Sequence, residues 1–194
     1  MSLIKNSPSW VSDEHKMFAD TTRKLFEAEM APNVEKWAEQ GIVDREFWTT
    51  VGQQGVMGGS IAEEYGGFGG GVAFDAITIY EQGRVGDSGW GYGIQSIVIH
   101  YLNAYGSEDQ KKKWLPKLIS GESVAAIAMT EPGTGSDLQN VQTYAEQDGN
   151  HYKINGSKIF ITNGHTADLV VVVAKTDRAA GAKGVSLIVL ETEG

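Results

Sequence analysis

Two segments of the sequence combine hydroxyl, aromatic and glycine residues, which are types that bind flat, polar ligands. The first, AIAMTEPGTGSDLQ, is an apolar run that ends in a glycine-containing loop with hydroxyls at Thr130 and Ser136. The second, KIFITNG, carries Phe160 and Thr162 two residues apart. On a strand this spacing predicts that both side chains share one face. An aromatic ring beside hydroxyls suits a heterocycle with ring nitrogens and carbonyls. The alternative for the first segment is a plain proline–glycine turn in which Asp137 caps its own backbone.

Other glycine-rich segments do not fit the nucleotide-binding loops. GTGSDL begins as G-x-G but has Leu138 where the dinucleotide fingerprint needs its last glycine, and no βαβ pattern surrounds it. No G-x-x-x-x-G-K-[ST] sequence is present. GGFGGG and GWGYG lie among predicted helices, and we interpret GGFGGG as a turn between two of them.

The sequence predicts neither metal chemistry nor a nucleophilic enzyme. There are no cysteines, and no two of the four histidines have the spacing of metal ligands; these are His15, His100, His151 and His165. No G-x-S-x-G sequence marks a nucleophilic serine. Because His100 lies in an apolar helical pattern, we interpret it as a core histidine rather than a general base.

Composition and the apolar pattern argue against further classes of partner. The 194 residues carry a net charge of −9, whereas nucleic-acid binding requires a basic face. No apolar run approaches the roughly 18 residues of a membrane span. The first residues, MSLIKNSPSW, lack the apolar core of a signal peptide, so no targeting segment is predicted.

Hydrophobic periodicity divides the chain into a helical part and a β part. Residues 12–121 read as helices, with Ser12 and Asp13 as possible caps of the first and a break at Pro32. GVAFDAITIYEQGRVG and WGYGIQSIVIHYLNAYG are apolar around much of their circumference and predict buried helices. Ser107 opens a capping box, S-x-x-Q, and we expect the helix that follows to bend or restart near Pro116.

After Gly121 the pattern changes to short strands. SVAAIAMT, LVVVVAKT and VSLIVLET predict three strands, and Asp148-Gly149 and Asn155-Gly156 each predict a hairpin turn. The fold class is therefore α+β, with an all-α domain over residues 1–121 followed by an antiparallel β-domain over residues 122–194. The final strand would expose an edge, so we expect the β-domain to be incomplete.

Two of these strings resemble the signature sequences of the acyl-CoA dehydrogenase family. IAMTEPGTGSDL matches the family pattern T-E-P-x-x-G-S-D, and NGSKIFITNG, about 30 residues downstream, matches its [WF]-I-[TS]-N-G segment. Three further segments also resemble family sequences at the corresponding positions: IAEEYGGFGG, YGSEDQKKKWLPKLISGE and GVSLIVLE. The resemblance covers nearly the whole chain and is strongest to the long-chain branch.

The resemblance implies a fold and a cofactor. Members of this family have an N-terminal helical domain, a middle β-domain and a C-terminal four-helix domain, and FAD lies between the last two. The chain is similar to the first two domains, so the four-helix domain is expected to be absent from these residues.

The resemblance also assigns cofactor-binding residues. Thr130 is expected at the pyrimidine side of the flavin, and Thr162 near N5. Phe160, where the family more often has Trp, is expected to pack on the flavin, and Ser136 to lie near the pyrophosphate and the bound acyl-CoA. The full implied cofactor-binding set is Ile127, Ala128, Met129, Thr130, Gly135, Ser136, Phe160, Ile161 and Thr162.

The catalytic glutamate of the family belongs to the C-terminal domain, so the resemblance places the base beyond Gly194. We expect the chain alone to be inactive. Glu131 is interpreted as a loop residue that hydrogen-bonds the turn and not as the base.

The implied activity is FAD-dependent α,β-dehydrogenation of fatty acyl-CoA thioesters to trans-2-enoyl-CoA in fatty acid β-oxidation. Electron-transfer flavoprotein is the implied electron acceptor, and a homotetramer is the implied full-length assembly. The location would be the cytoplasm in a bacterium or the mitochondrial matrix in a eukaryote. Alternatives are an acyl-CoA oxidase-like or nitroalkane-oxidising flavoenzyme of the same fold, or a non-catalytic binding or assembly module.

Overall fold

A computed structural model of the chain describes residues 11–87 and 89–192. Two compact units are present, the first ending at Glu122 and the second beginning at Ser123. The first unit is helical and the second is built on a β-sheet, which confirms the predicted order of an all-α and a β part. The predictions about the MSLIKNSPSW segment and about the domain limits at residues 1 and 194 lie outside the described residues.

The described part of the helical unit contains six α-helices and several shorter turns of 3₁₀- or π-helix. The α-helices are α1 (Asp13–Leu25), α2 (Val34–Gln40), α3 (Arg45–Gln53), α4 (Val72–Arg84), α5 (Tyr92–Tyr105) and α6 (Glu108–Ile119). A π-helical turn (Phe26–Met30) and a 3₁₀ turn (Ala31–Asn33) join α1 to α2, and a further 3₁₀ turn spans Glu63–Tyr65.

Local signals explain where several of these helices begin and end. The hydroxyls of Ser12 and Ser107 each accept a hydrogen bond from the backbone three residues on, completing capping boxes at α1 and α6. Pro32 lies in the 3₁₀ turn that precedes α2, as the predicted break requires. The predicted restart near Pro116 is wrong. One proline removes a single hydrogen bond, and the helix continues to Ser120, whose N–H donates to the Pro116 carbonyl at 2.9 Å.

Aromatic rings from three helices and a loop form the centre of the helical unit. Trp90 stacks on Tyr92 at a centroid separation of 4.9 Å and meets Phe26 and Phe47 edge-on at 5.6 and 5.4 Å. Edge-on and stacked pairs add to the stabilisation that burial of these rings provides. The core therefore depends on a loop residue, Trp90, that no helical periodicity marks.

Helices α4 and α5 are less buried than their composition predicts. Val72 and Ile79 on α4, and Ile97 and Tyr105 on α5, are exposed within this unit. Each helix buries only part of its circumference within this unit, so apolar residues on the remaining surface stay uncovered. His100 is likewise half-buried rather than a core residue, and its Nε2 lies 3.1 Å from Asp75 Oδ2.

The second unit contains a five-stranded sheet whose strands are β1 (Ala125–Ala128), β2 (Tyr144–Asp148), β3 (His151–Asn155), β4 (Leu169–Lys175) and β5 (Val185–Glu191). β4 is central, because it pairs with β1, β2 and β5. The expectation of an antiparallel sheet holds for β2–β3 and β4–β5, but β1 and β2 run parallel to β4. A long connection separates β1 from β4, and only a long crossover lets neighbouring strands run parallel.

One predicted hairpin is confirmed and the other is wrong. β2 and β3 pair antiparallel across a two-residue turn at Gly149-Asn150, with Asp148 opposite His151. The second predicted turn, Asn155-Gly156, joins no pair of strands. Residues 157–162 form no strand, and the N–H of Ile159 donates instead to the Thr130 carbonyl at 2.9 Å.

Among the described residues, no helix combines the length and the apolar character needed to cross a lipid bilayer.

At Gly121 the backbone lies close to the backbone of Trp48, and a substitution there tests this packing within the helical unit. The φ of Gly121 is +74°, and a Cβ there would lie 2.0 Å from the Trp48 carbonyl oxygen. Gly41 has a similar φ of +76° with open space around it. We expect Gly41→Ala to cost about 1–2 kcal/mol and Gly121→Ala about 2–5 kcal/mol, because only the second adds a clash to the backbone strain. Urea unfolding measures both, and equal losses would contradict the close approach.

Candidate functional site

The first predicted site segment begins in the sheet and ends in an exposed loop. All four residues of β1 are buried, and Ala128 packs with Ala145, Val172 and Ala174. Ile127 and Ala128 are therefore mainly core residues. Met129 and Thr130 follow the strand and are half-buried.

A tight turn carries the chain from the strand into the loop. The N–H of Glu131 donates to the Thr134 carbonyl at 2.9 Å, and the N–H of Thr134 donates back at 3.1 Å. Gly135 and Ser136 come directly after this turn and are exposed. We refer to residues 129–136 as the TEPG loop.

Glu131 organises the TEPG loop, although it lies in a surface turn. Its side chain is only 5% exposed. One carboxylate oxygen accepts from the Gln142 N–H at 2.6 Å, and the other accepts from the Thr143 N–H and from Lys158 Nζ, both at 2.9 Å. Burial alone would raise the pKa of this carboxyl, but the hydrogen bonds from Thr143, Gln142 and Lys158 outweigh it and lower the pKa to about 2. The backbone of Glu131 hydrogen-bonds the turn as predicted, whereas its side chain bonds residues outside the loop.

The second site segment, residues 158–163, has an irregular backbone and not the predicted strand. Phe160 and Asn163 have φ of +57° and +63°, the left-handed region that residues with a Cβ seldom adopt. Phe160 lies in a bend, and a turn begins at Thr162. The argument that strand alternation places Phe160 and Thr162 on one face is consequently wrong. The Phe160 side chain is nevertheless 89% exposed.

Several contacts fasten this 158–163 segment to β1 and to the TEPG loop. The Ile159 N–H donates to the Thr130 carbonyl, and Asn163 Nδ2 donates to the Ala125 carbonyl, both at 2.9 Å. The partly buried side chain of Ile161 packs on the core around Ala128. The structure thus brings Thr130 together with the segment that carries Phe160, Ile161 and Thr162.

Gly135 and Ser136 are not joined to the 158–163 segment by any hydrogen bond among the described residues. The side-chain hydroxyls of Thr130, Ser136 and Thr162 also form no hydrogen bond with another group in that part of the chain. These hydroxyls are available to a ligand, whereas the side chains of Glu131 and Thr134 in the same loop are engaged.

Sequence reasoning missed Lys158, which lies within the NGSKIFITNG string. Its side chain is 11% exposed, and its ammonium group donates to Glu131 and, at 2.9 Å, to the Met129 carbonyl. The available signal was the acidic Glu131 in an otherwise apolar and glycine-rich segment, because a buried carboxylate requires a cationic or hydrogen-bonding partner.

The arrangement suits ligand binding and not acid–base chemistry. An exposed ring and three available hydroxyls fit a flat polar heterocycle such as a flavin, which presents ring faces and a polar edge. Glu131 is committed to two amides and an ammonium group, so it is not placed to accept a proton. The described residues contain no group of three or more His, Cys, Asp or Glu side chains that could hold a metal ion.

The low pKa of Glu131 makes stability depend on acidity. A carboxyl whose pKa is about 2 in the folded chain and about 4.5 when unfolded stabilises the fold above pH 4.5, and this contribution is lost as the pH falls toward 2. We expect Glu131→Gln to lower the free energy of unfolding at pH 7 by on the order of 3 kcal/mol. In denaturant titrations, the difference in the free energy of unfolding between wild type and Glu131→Gln should become smaller from pH 7 to pH 3.

Glu146→Gln is the matched control, because Glu146 is exposed on β2 in the same unit. Its effect should be small at every pH. A gap between wild type and Glu131→Gln that stays constant down to pH 3 would show that the carboxylate charge does not stabilise the loop.

Comparison with known proteins matches both units to one family. Residues 12–122 match the model of the acyl-CoA dehydrogenase N-terminal domain, and residues 126–194 match that of the acyl-CoA dehydrogenase middle domain. The chain is 46% identical over 183 residues to the mitochondrial long-chain specific acyl-CoA dehydrogenase of Sus scrofa, covering 93% of this chain and 43% of that protein.

Solved structures give the same result. An acyl-CoA dehydrogenase from Geobacillus kaustophilus superposes with a TM-score of 0.92 and 43% identity, covering 96% of this chain and 50% of that one. A glutaryl-CoA dehydrogenase from Mycobacterium smegmatis, solved in complex with FADH2, gives 0.87 and 30%, covering 98% and 48%. The chain thus spans about half the length of these relatives. It belongs to the acyl-CoA dehydrogenase family, a family of flavoproteins of fatty acid oxidation, and carries its N-terminal and middle domains.

Proposed function

We propose that the TEPG loop and the 158–163 segment form one side of an FAD site that serves α,β-dehydrogenation of a fatty acyl-CoA thioester. The observation that carries this proposal is Phe160, whose ring is 89% exposed on a segment bonded to the TEPG loop before it and to β1 after it. The M. smegmatis relative solved with FADH2 supports flavin as the ligand.

Two features of Phe160 are unfavourable in free energy, and a bound ligand would offset them. An exposed aromatic ring loses the stabilisation that burial provides. Its left-handed backbone is also strained by an amount that is typically 1–3 kcal/mol, and such strain concentrates at ligand sites. Because neighbouring contacts already hold the backbone, a stacked heterocycle would recover the burial with little further loss of conformational entropy.

The remaining residues can bind the other parts of FAD. The hydroxyls of Thr130 and Thr162 would hydrogen-bond the polar edge of the flavin, with Thr162 near N5 and Thr130 on the pyrimidine side. Gly135 and Ser136, exposed after the turn, would hold the pyrophosphate, and Ser136 would also contact the acyl-CoA. Ile127, Ala128, Met129 and Ile161 would support this surface from the sheet.

When bound, the flavin supplies the acceptor for the hydride that leaves the β-carbon of the thioester. The chain's own residues orient the flavin and exclude water from its face. The carboxylate that removes the α-proton is proposed to come from outside the described residues, since Glu131, the acid nearest to this surface in sequence, is fully engaged.

Similarity to a long-chain enzyme supports a fatty acyl-CoA as the substrate. The proposal also includes electron-transfer flavoprotein as the electron acceptor and a homotetrameric full-length enzyme. The location would be the mitochondrial matrix in a eukaryote or the cytoplasm in a bacterium.

Phe160→Ala tests the flavin contact. We expect the dissociation constant of FAD, measured by titration of flavin fluorescence against the purified chain, to rise roughly tenfold, because the stacking surface is lost. Tyr152→Ala is the matched control, since Tyr152 is another exposed aromatic residue of the same unit.

A wild-type chain that shows no saturable FAD binding would count against a site formed by these residues alone and would favour a non-catalytic fragment or module. Equal weakening by both substitutions would mean that Phe160 has no special role in binding.

The activity of the 194-residue chain is a separate test. With FAD and a long-chain acyl-CoA present, we expect no turnover above background in an assay that couples electron-transfer flavoprotein to a dye. Turnover at rates typical of enzymes would show that a base is present within the chain. Accumulation of hydrogen peroxide with acyl-CoA would instead identify an oxidase-like enzyme.

A further inference from the structure

We propose that Lys158 is a positioning residue: its ammonium group joins the TEPG loop to the 158–163 segment and so holds Thr130 and Phe160 as one flavin-facing surface. The assignment of this surface to flavin depends on the proposed function, whereas the joining role of Lys158 does not.

The contacts of Lys158 cross between the two segments. Its Nζ donates to the carbonyl of Met129 and to Glu131 Oε1, each at 2.9 Å. These acceptors lie on either side of Thr130, whose own carbonyl accepts from the Ile159 N–H. Three consecutive residues of the loop are therefore bonded to two consecutive residues of the segment.

The bonded residues leave Phe160 in a defined place. Ile161 packs into the sheet core and Asn163 bonds to β1, so the chain on the C-terminal side of Phe160 is anchored. Lys158 and Ile159 form the anchor on the N-terminal side. Loss of Lys158 would leave that side with the single Ile159–Thr130 hydrogen bond.

The burial of the ion pair makes this anchor rigid. The side chains of Lys158 and Glu131 are 11% and 5% exposed, so water competes weakly for their hydrogen bonds. A purely stabilising role would be a weak reason for such a pair, because burying two charges costs about as much as the pair returns. Fixing one geometry is the better-supported use of the interaction here, since both partners also hold backbone groups.

The substitution Lys158→Met keeps the length of the side chain but removes its charge. Because this leaves Glu131 without its cation, the decisive variant is the double substitution Lys158→Met with Glu131→Gln. It leaves no unpaired charge buried and keeps one side-chain oxygen as an acceptor for the backbone amides at Gln142 and Thr143. Lys153→Met is the matched control, because Lys153 is exposed on β3. Lys158→Arg tests whether a cation alone restores the effect.

Amide hydrogen exchange of the purified chain, without added FAD, is the first measurement. We expect the double variant to exchange at least about tenfold faster than wild type across residues 158–163, with a clearly smaller change in β4 and β5. Lys153→Met should match wild type, and Lys158→Arg should recover part of the protection. Unchanged protection in the double variant would overturn the proposal, and so would equal acceleration throughout the sheet, which would indicate general destabilisation.

Binding of FAD is the second measurement, made at a temperature where all variants are folded. We expect the dissociation constant to rise at least about tenfold in the double variant, and to rise further than in Glu131→Gln alone. Normal FAD affinity together with faster exchange would show that the anchor does not position the flavin surface, and would overturn that part of the proposal. If wild type binds no FAD, the proposed function fails, and the exchange measurement alone decides whether Lys158 joins the two segments.

Discussion

The buried carboxylate of Glu131 is the constraint on which the site unit depends. A charge removed from water must be surrounded by donors, and here those donors come from two stretches of chain distant from Glu131: the pair Gln142 and Thr143, and Lys158. Satisfying one acid therefore brings the TEPG loop, the start of β2 and the 158–163 segment together. The pKa of Glu131 is low because the hydrogen bonds from these donors outweigh the effect of its burial.

The consequence of this arrangement is an exposed surface with a fixed backbone. Phe160 is left uncovered because its neighbours are anchored while its own backbone takes a left-handed conformation. An aromatic side chain on a mobile loop would lose entropy when a ligand packed on it, and an anchored one loses less. The strain and the exposure have no evident use inside this unit, and they support the proposed ligand site.

The helical unit also contains a buried acid whose charge is balanced by cationic partners. Glu81 is fully buried and pairs with Arg23 at 3.1 Å and with Arg84 at 3.0 Å. These partners come from α1 and α4, so the ion pairs link two helices. Close backbone contact at Gly121 and the rings around Trp90 complete that core. In each unit, an acid inside the fold joins elements that are distant in sequence.

The sequence by itself determined the family, the order of helical and β parts, the capping boxes at Ser12 and Ser107, and the β2–β3 hairpin, because these depend on local patterns and short motifs. Only the tertiary structure decided the parallel pairing of β1 with β4, the irregular backbone at Phe160 and the role of Lys158. The dipeptide Asn155-Gly156 is typical of a hairpin turn, yet no hairpin forms there, and the Ile159 N–H donates to the Thr130 carbonyl. Each of these features joins residues far apart along the chain, and no local propensity encodes which distant partner will satisfy a buried charge or a backbone amide.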